Sequence, residues 1–296
     1  MRSIHRFFVT DDLLSRQALS LTLPVPTGEL AEYVRGQIAA RYAGSAVGVV
    51  AVGALVLWIP RQDALSGPLL FLLAVTLLLL GLLFGRTVGG LLAGRRRPTG
   101  PRVARERAVT VADYLPAWVR RITWGSAVAG LSCLLAVAVC LVTGLFQPLP
   151  QHGPTLAVTL TAALLVSAVL LVACLRLTAR EAAGPSRARE DVGLAWVDAL
   201  RARRLADLNT VPAVVGLACA LAALNLLVDG PILATGGAGT GAVYWTLTGT
   251  TGVVLTAVWA LMFATSGQAV RTHRHFLRRL WGGHAPTPTA TRGGAV

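Results

Sequence analysis

The chain contains no lysine, so all 27 of its basic residues are arginine, set against 13 acids for a net charge of +14 over 296 residues. Charge of either sign is scarce. Asp, Glu, Lys and Arg make up 14% of the chain, where soluble domains carry about a quarter. Six stretches, 42–60, 66–85, 122–145, 154–175, 208–228 and 241–266, have no charged residue at all. A helix crossing roughly 30 Å of hydrocarbon needs about 20 apolar residues. The missing charge therefore excludes a soluble globular protein and predicts an integral membrane protein that crosses the bilayer six times.

Other absences narrow the chemistry. All four cysteines, Cys133, Cys140, Cys174 and Cys219, fall inside the apolar stretches and form no C-x-x-C pair. That excludes a disulfide framework or a zinc finger, and they read as small apolar packing residues. All five histidines (His5, His152, His273, His275 and His284) lie outside those stretches, the last three as solvated residues of a basic tail. There is no H-E-x-x-H, no G-x-S-x-G and no paired intramembrane carboxylate. No catalytic, cofactor-binding or metal-binding residue is assigned, and the expectation is a protein that is not an enzyme. Proton- or sodium-coupled transport is disfavoured for the same reason, since such carriers need ionisable groups inside the spans. The segment T-G-G-A-G-T-G, Thr235 to Gly241, lacks the lysine of a phosphate-cradling loop and reads as a flexible turn.

What is present is patterned. Five arginines precede the first stretch, nine lie between Arg86 and Arg121, seven between Arg176 and Arg204, and five between Arg271 and Arg292. Only Arg61 falls in an alternate connection. The positive-inside rule then places both termini and the two long loops in the cytoplasm, and three short loops outside. So distributed, the charge orients the chain in a bacterial plasma membrane with an anionic inner leaflet and does not indicate nucleic acid. The opening MRSIHRFFVTDDLLSRQ has no cleaved-signal pattern. Tyr42 and Trp124 near inner ends, and Trp58, Tyr244 and Trp245 near outer ends, suit interfacial belts.

The expected fold class is all-α and polytopic, with six helices as three hairpins, each preceded by an amphipathic cytoplasmic lead-in. Residues 1–28 form a cytoplasmic segment and 29–270 the membrane domain, with spans near 38–60, 66–94, 122–146, 154–176, 208–228 and 241–266. Residues 271–296 form a tail, basic at first and disordered after Trp281. Two lead-ins share a pattern: A-E-Y, ten residues, G-S-A-V from Ala31, and A-D-Y, ten residues, G-S-A-V from Ala112. This implies an internal duplication. Their apolar stripes are Leu30, Tyr33, Val34, Ile38 and Val111, Tyr114, Leu115, Val119. A third, Val192, Ala195, Trp196, Ala199 and Leu200, lies opposite Asp198 and Arg201. Such helices suit the cytoplasmic headgroup layer, with a docking surface for a cytoplasmic protein as the other reading. Pro116 marks a helix start, and Pro212 after a capping Asn209 marks another.

Three sets of residues are candidates for particular roles. Gly44 and Gly48 in the first span, with Gly81, Gly85 and Gly89 in and beyond the second, let helices approach closely, within one hairpin or across a homo-oligomer. Arg86 at the inner end of the second span must snorkel or pair, as a boundary marker or a functional group. Asn225, Tyr244, Thr248 and Thr251 form a polar intramembrane cluster on the last two spans, for hydrogen bonding or a small outward pocket.

The lead-in V-A-D-Y-L-P-A-W-V-R-R-I and the Arg-flanked six-span layout, together with a composition like that of a high-GC genome, resemble a group of uncharacterised actinobacterial multi-pass membrane proteins. The resemblance implies a class and no activity. The expected role is a non-enzymatic membrane component, a partner or regulatory subunit acting through helix packing and basic loops. The alternative is the permease subunit of an exporter driven by a separate ATPase.

Overall fold

The computed structural model describes residues 10–58, 67–94, 103–104, 109–148, 153–184, 187–188, 190–229, 231–233, 238–266 and 269–283. They are overwhelmingly helical. In chain order come α1 (Asp11–Leu21), α2 (Gly28–Trp58), α3 (Gly67–Gly94), β1 (Val103–Ala104), α4 (Val111–Tyr114), α5 (Ala117–Val142), β2 (Phe146–Pro148), α6 (Gly153–Ala183), β3 (Arg187–Ala188), α7 (Asp191–Asp229), β4 (Pro231–Leu233), α8 (Ala238–Ser266) and α9 (Ala269–Trp281). Among the described residues four helices are long and apolar enough to cross a membrane, within Ala74–Ala93, Ala117–Val142, Leu160–Ala183 and Asp191–Leu224. The stretches 42–60 and 241–266 coincide largely with α2 and α8.

The organising element is α7. It runs 39 residues without a break, about 58 Å at 1.5 Å per residue and roughly twice the thickness of hydrocarbon. Of its apolar window 72% is buried, against 17% for that of α6, so α7 is the axis and α6 the periphery. The expected helix start at Asn209 and Pro212 does not occur, because both residues lie inside α7. Proline removes one backbone donor and crowds the carbonyl four residues earlier. Dense packing on both sides holds the helix through that defect, as neighbouring helices do for prolines in membrane helices. Pro116, by contrast, is the N-cap of α5 and separates it from the single turn of α4.

The lead-in stripes do not lie on a free surface. Val34 and Ile38 of α2, Tyr114 and Leu115 around the end of α4, and Ala195, Trp196, Ala199 and Leu200 of α7 converge in one apolar core with Leu14, Ala18 and Leu21 of α1 and Phe276 and Leu277 of α9. This gives the protein a compact helical head at one end of its long helices. Burying Trp196, Tyr114 and Phe276 completely offers each stripe more than a headgroup layer would. The basic segment 271–281 is thus part of a docked helix. His275, expected in solvent, sits with its ring Nε2 3.0 Å from the Ala112 carbonyl oxygen. His273, by its side chain, and His284 and the tail from 284 onward, lie outside the described residues.

The hairpins are unequal. α2 and α3 pack closely from Ala40 and Gly89 to Gly53 and Leu78, whereas α5 packs chiefly on α7 and only slightly on α6. Glycine decides this. A Cβ on Gly130 of α5 would stand 2.0 Å from the Gly216 oxygen of α7, so the two backbones touch. Between α5 and α6 remains a groove of about 450 Å³ lined by Val128, Leu131, Leu135, Leu164 and Leu165, a surface suited to lipid chains. The repeated lead-ins also diverge: Gly44 meets α3, while its counterpart Gly125 faces open space. Two short antiparallel pairings tie the connections. β1 pairs with β3, and β2 with β4, so the connections containing 103–104 and 187–188 lie together, as do those containing 146–148 and 231–233. The segment Thr235 to Gly241 is helical from Ala238, and 234–237 lie outside the described residues.

Candidate functional site

Where the head joins the long helices, charged side chains from four elements meet. Arg204 of α7 donates through Nε to Glu181 Oε1 of α6 at 2.6 Å and through Nη1 to Gln37 Oε1 of α2 at 3.3 Å. One turn along α7, Asp207 accepts from Arg41 Nη2 of α2 at 2.5 Å, and its Oδ2 lies 3.4 Å from Arg86 Nε of α3. Arg203 reaches the other way, donating to Gln17 Oε1 of α1 at 2.9 Å. Gly90 of α3 makes room for this lattice, since a Cβ there would lie 3.2 Å from Arg41 Cγ and 3.4 Å from Arg204 Cδ. Arg41 and Arg204 are 5% and 6% exposed, so each depends on its carboxylate. Stripping a buried charge of its partner costs about 3–5 kcal/mol. The lattice therefore locks head to spans.

A second polar centre lies inside the head. Asp198 is fully buried and accepts from the Tyr114 hydroxyl at 3.0 Å and from Trp281 Nε1 at 3.2 Å, tying α7 to α4 and α9. The Arg201 guanidinium stands 6.0 Å from the Tyr114 ring centroid, with Nη1 3.5 Å from the hydroxyl. Burial, and then the Asp198 charge, push the Tyr114 phenol up to about 12. Asp198 and Arg201, expected on the polar side of an amphipathic helix, are both buried here. The reason is geometric: α1, α4 and α9 surround that part of α7 and leave it no free side. Trp196 Nε1 adds a bond to the Pro24 carbonyl at 3.0 Å.

The glycine candidates come together within the chain. A Cβ on Gly44 would stand 2.1 Å from Gly85 O, one on Gly48 2.0 Å from Gly81 O, and one on Gly89 2.2 Å from Ala40 O. Arg86 pairs with Asp207, one of the two outcomes its position allowed. For the polar cluster, the side chains of Asn225 and Tyr244 lie outside the described residues. Thr251 is fully buried, and neither its hydroxyl nor that of Thr248 has a hydrogen-bond partner among the described residues. Of the aromatic belt, Tyr42 and Trp245 are exposed, as lipid-facing residues are. The side chain of Trp58 lies outside the described residues. The cysteines Cys140, Cys174 and Cys219 are free thiols in an apolar cluster, Cys219 Sγ lying 3.3 Å from Ser167 Oγ.

Sequence reasoning missed Glu181, Asp207 and Gln37 as site residues, because they sit in segments counted as Arg-rich loop or as lead-in. Acid scarcity was the available signal. In a chain with 13 acids, Asp207 three residues beyond Arg204 and beside a charge-free stretch is an expected arginine partner. Chemically, guanidinium–carboxylate pairs hold geometry, and a guanidinium in excess of its carboxylates can bind an anion. No family model, curated protein or solved structure matches the chain.

Proposed function

We propose that this protein is a six-span, non-enzymatic component of the bacterial plasma membrane, with both termini and its head in the cytoplasm, acting as a partner or regulatory subunit. The carrying observation is that the charged groups bordering the apolar helices bind one another: Arg41, Arg86 and Asp207, and Arg204 with Glu181, cross-link four helices. Pairing of this kind gives those charges a structural role, so they need no ion pathway to account for them. The pairing of β1 with β3 and of β2 with β4 supports the alternation of ends that six crossings require. The Arg-rich connections then share the cytoplasmic side.

The glycine faces are consumed between α2 and α3. An association with a second copy or another subunit would therefore use a different surface, and the exposed head is the natural one for a cytoplasmic partner. Purification in mild detergent followed by mass spectrometry tests this reading. Copurification of a membrane or cytoplasmic protein without nucleotide-hydrolysing activity is expected. A stoichiometric ATPase would overturn it in favour of an exporter permease. Topology is checked separately: a cysteine introduced between 235 and 241 is labelled by an impermeant reagent from outside, and one at Arg105 is not.

A further inference from the structure

The charges of the lattice do not balance at its rim. Its buried pairs are matched, Arg204 with Glu181 and Arg41 with Asp207. Arg86 has only a share of Asp207 at 3.4 Å, and its side chain is 38% exposed. Arg203 is half-buried and bonds to the neutral amide of Gln17, and it feels repulsion from Arg41 and Arg86 that the attraction of Asp207 offsets only in part. Among the described residues, four guanidinium groups (Arg41, Arg86, Arg203, Arg204) face two carboxylates (Asp207, Glu181), an excess of two positive charges. Two buried donors in the same cluster also lack an acceptor among the described residues. Gln37 is 1% exposed with Nε2 unpaired, and Arg41 is 5% exposed with Nε unpaired. Water could satisfy a donor, yet it leaves the charge in place.

We propose that the rim formed by Arg86 and Arg203, backed by Arg41 and Gln37, binds a phosphate-bearing anion, the phosphodiester of an anionic phospholipid or phosphate itself. Arginine suits this task because its planar fork donates two parallel hydrogen bonds to phosphate oxygens. Arg86 sits one residue past the charge-free stretch 66–85 and within the candidate span Ala74–Ala93, so its guanidinium snorkels toward the lipid phosphates if α3 spans the bilayer. The lipid source thus rests on the membrane reading, whereas the anion site itself does not.

Full-length protein in dodecylmaltoside, titrated with phosphatidylglycerol, phosphatidylcholine or inorganic phosphate at constant ionic strength, tests the site through its thermal midpoint, which a ligand of the folded state raises by mass action. Saturable stabilisation by phosphatidylglycerol and not phosphatidylcholine, with about tenfold weaker binding in Arg86→Gln and in Arg203→Gln, is the expected result. Stabilisation by inorganic phosphate with the same mutational loss supports the site with free phosphate as its ligand. Arg86→Lys, which keeps the charge without the fork, should fall between wild type and Arg86→Gln. Arg279→Gln, on the exposed face of α9, should match wild type. Equal stabilisation by both lipids, or unaltered phosphatidylglycerol binding in Arg86→Gln and Arg203→Gln, overturns the proposal. If Arg86→Gln does not fold, Arg203→Gln decides the question. Neither result bears on whether an ATPase copurifies.

Discussion

Replacing Gly85 with alanine puts a Cβ 2.1 Å from the Gly44 carbonyl oxygen, and ordinary contact begins near 3.4 Å. The obstacle is backbone on both sides, so α2 and α3 must separate by about 1.3 Å at that level. A gap wider than 1 Å forfeits about half of the ~0.1–0.2 kcal/mol held by each touching atom pair. Over some 40 pairs the loss is roughly 2–4 kcal/mol, and in lipid no hydrophobic term offsets it. Alanine returns about 1 kcal/mol of helix propensity. The expected net destabilisation is about 1–3 kcal/mol, measured by SDS titration of the detergent-solubilised protein followed by tryptophan fluorescence. Gly53→Ala is the control, since its Cβ would meet only Leu78 Cδ2 at 3.8 Å, and it should be neutral or slightly stabilising. The clash is also reciprocal: a Cβ on Gly44 meets Gly85 O at the same 2.1 Å. One displacement relieves both, so Gly44→Ala/Gly85→Ala should cost clearly less than the sum of its parts. Equal stability of Gly85→Ala and Gly53→Ala, or strict additivity of the pair, would refute the reasoning.

Three further outcomes follow from the polar groups. The neutral Tyr114 phenol is favoured in the folded head, its pKa standing at about 12 against an ordinary value of 10.0, so its contribution is intact below pH 10 and vanishes as pH rises through 12. Wild type should lose about 3 kcal/mol across that window, and Tyr114→Phe, weaker at neutral pH, should lack that step in a pH series of unfolding curves. Asp207→Asn leaves the Arg41 charge buried without its carboxylate, for an expected cost of about 3–5 kcal/mol, seen as a lowered midpoint or lost folding yield. Thr251→Val replaces a buried hydroxyl that lacks a described partner with a methyl of equal size, and stability should hold or rise by about 1 kcal/mol. A loss there would mean the hydroxyl is bonded.

The long helices were legible because a missing charge over 20 residues has one dominant physical meaning. Arg86 was legible for the same reason, as a charge beside apolar sequence that had to snorkel or pair. The lead-in stripes were also visible, but their destination was not. An amphipathic pattern states that one face leaves water, and it is silent on whether lipid or protein receives it. The misreading of Asp198 and Arg201 has that origin. A helix surrounded on all sides buries its polar face too, provided each group is bonded, and local periodicity carries no record of distant neighbours. Asn209 and Pro212 misled in the opposite direction: a cap signal of fair quality was overridden by tertiary packing along α7.

The head joins residues that are far apart in the order of synthesis. Leu14 and Phe276 share one core, and Trp281 donates to Asp198. The α2 and α3 contact closes between near neighbours and can form as soon as both helices have left the ribosome. The head core cannot close until α9 has been made, so for most of translation the stripes of α1 and the lead-ins lack the partners that Phe276 and Leu277 supply. If the head faces the cytoplasm as proposed, the inner leaflet, read at first as the final resting place of those stripes, suits them as a waiting position. Docking of α9, which brings Phe276 and Leu277 into that core, is then the step that gives the stripes their final partners.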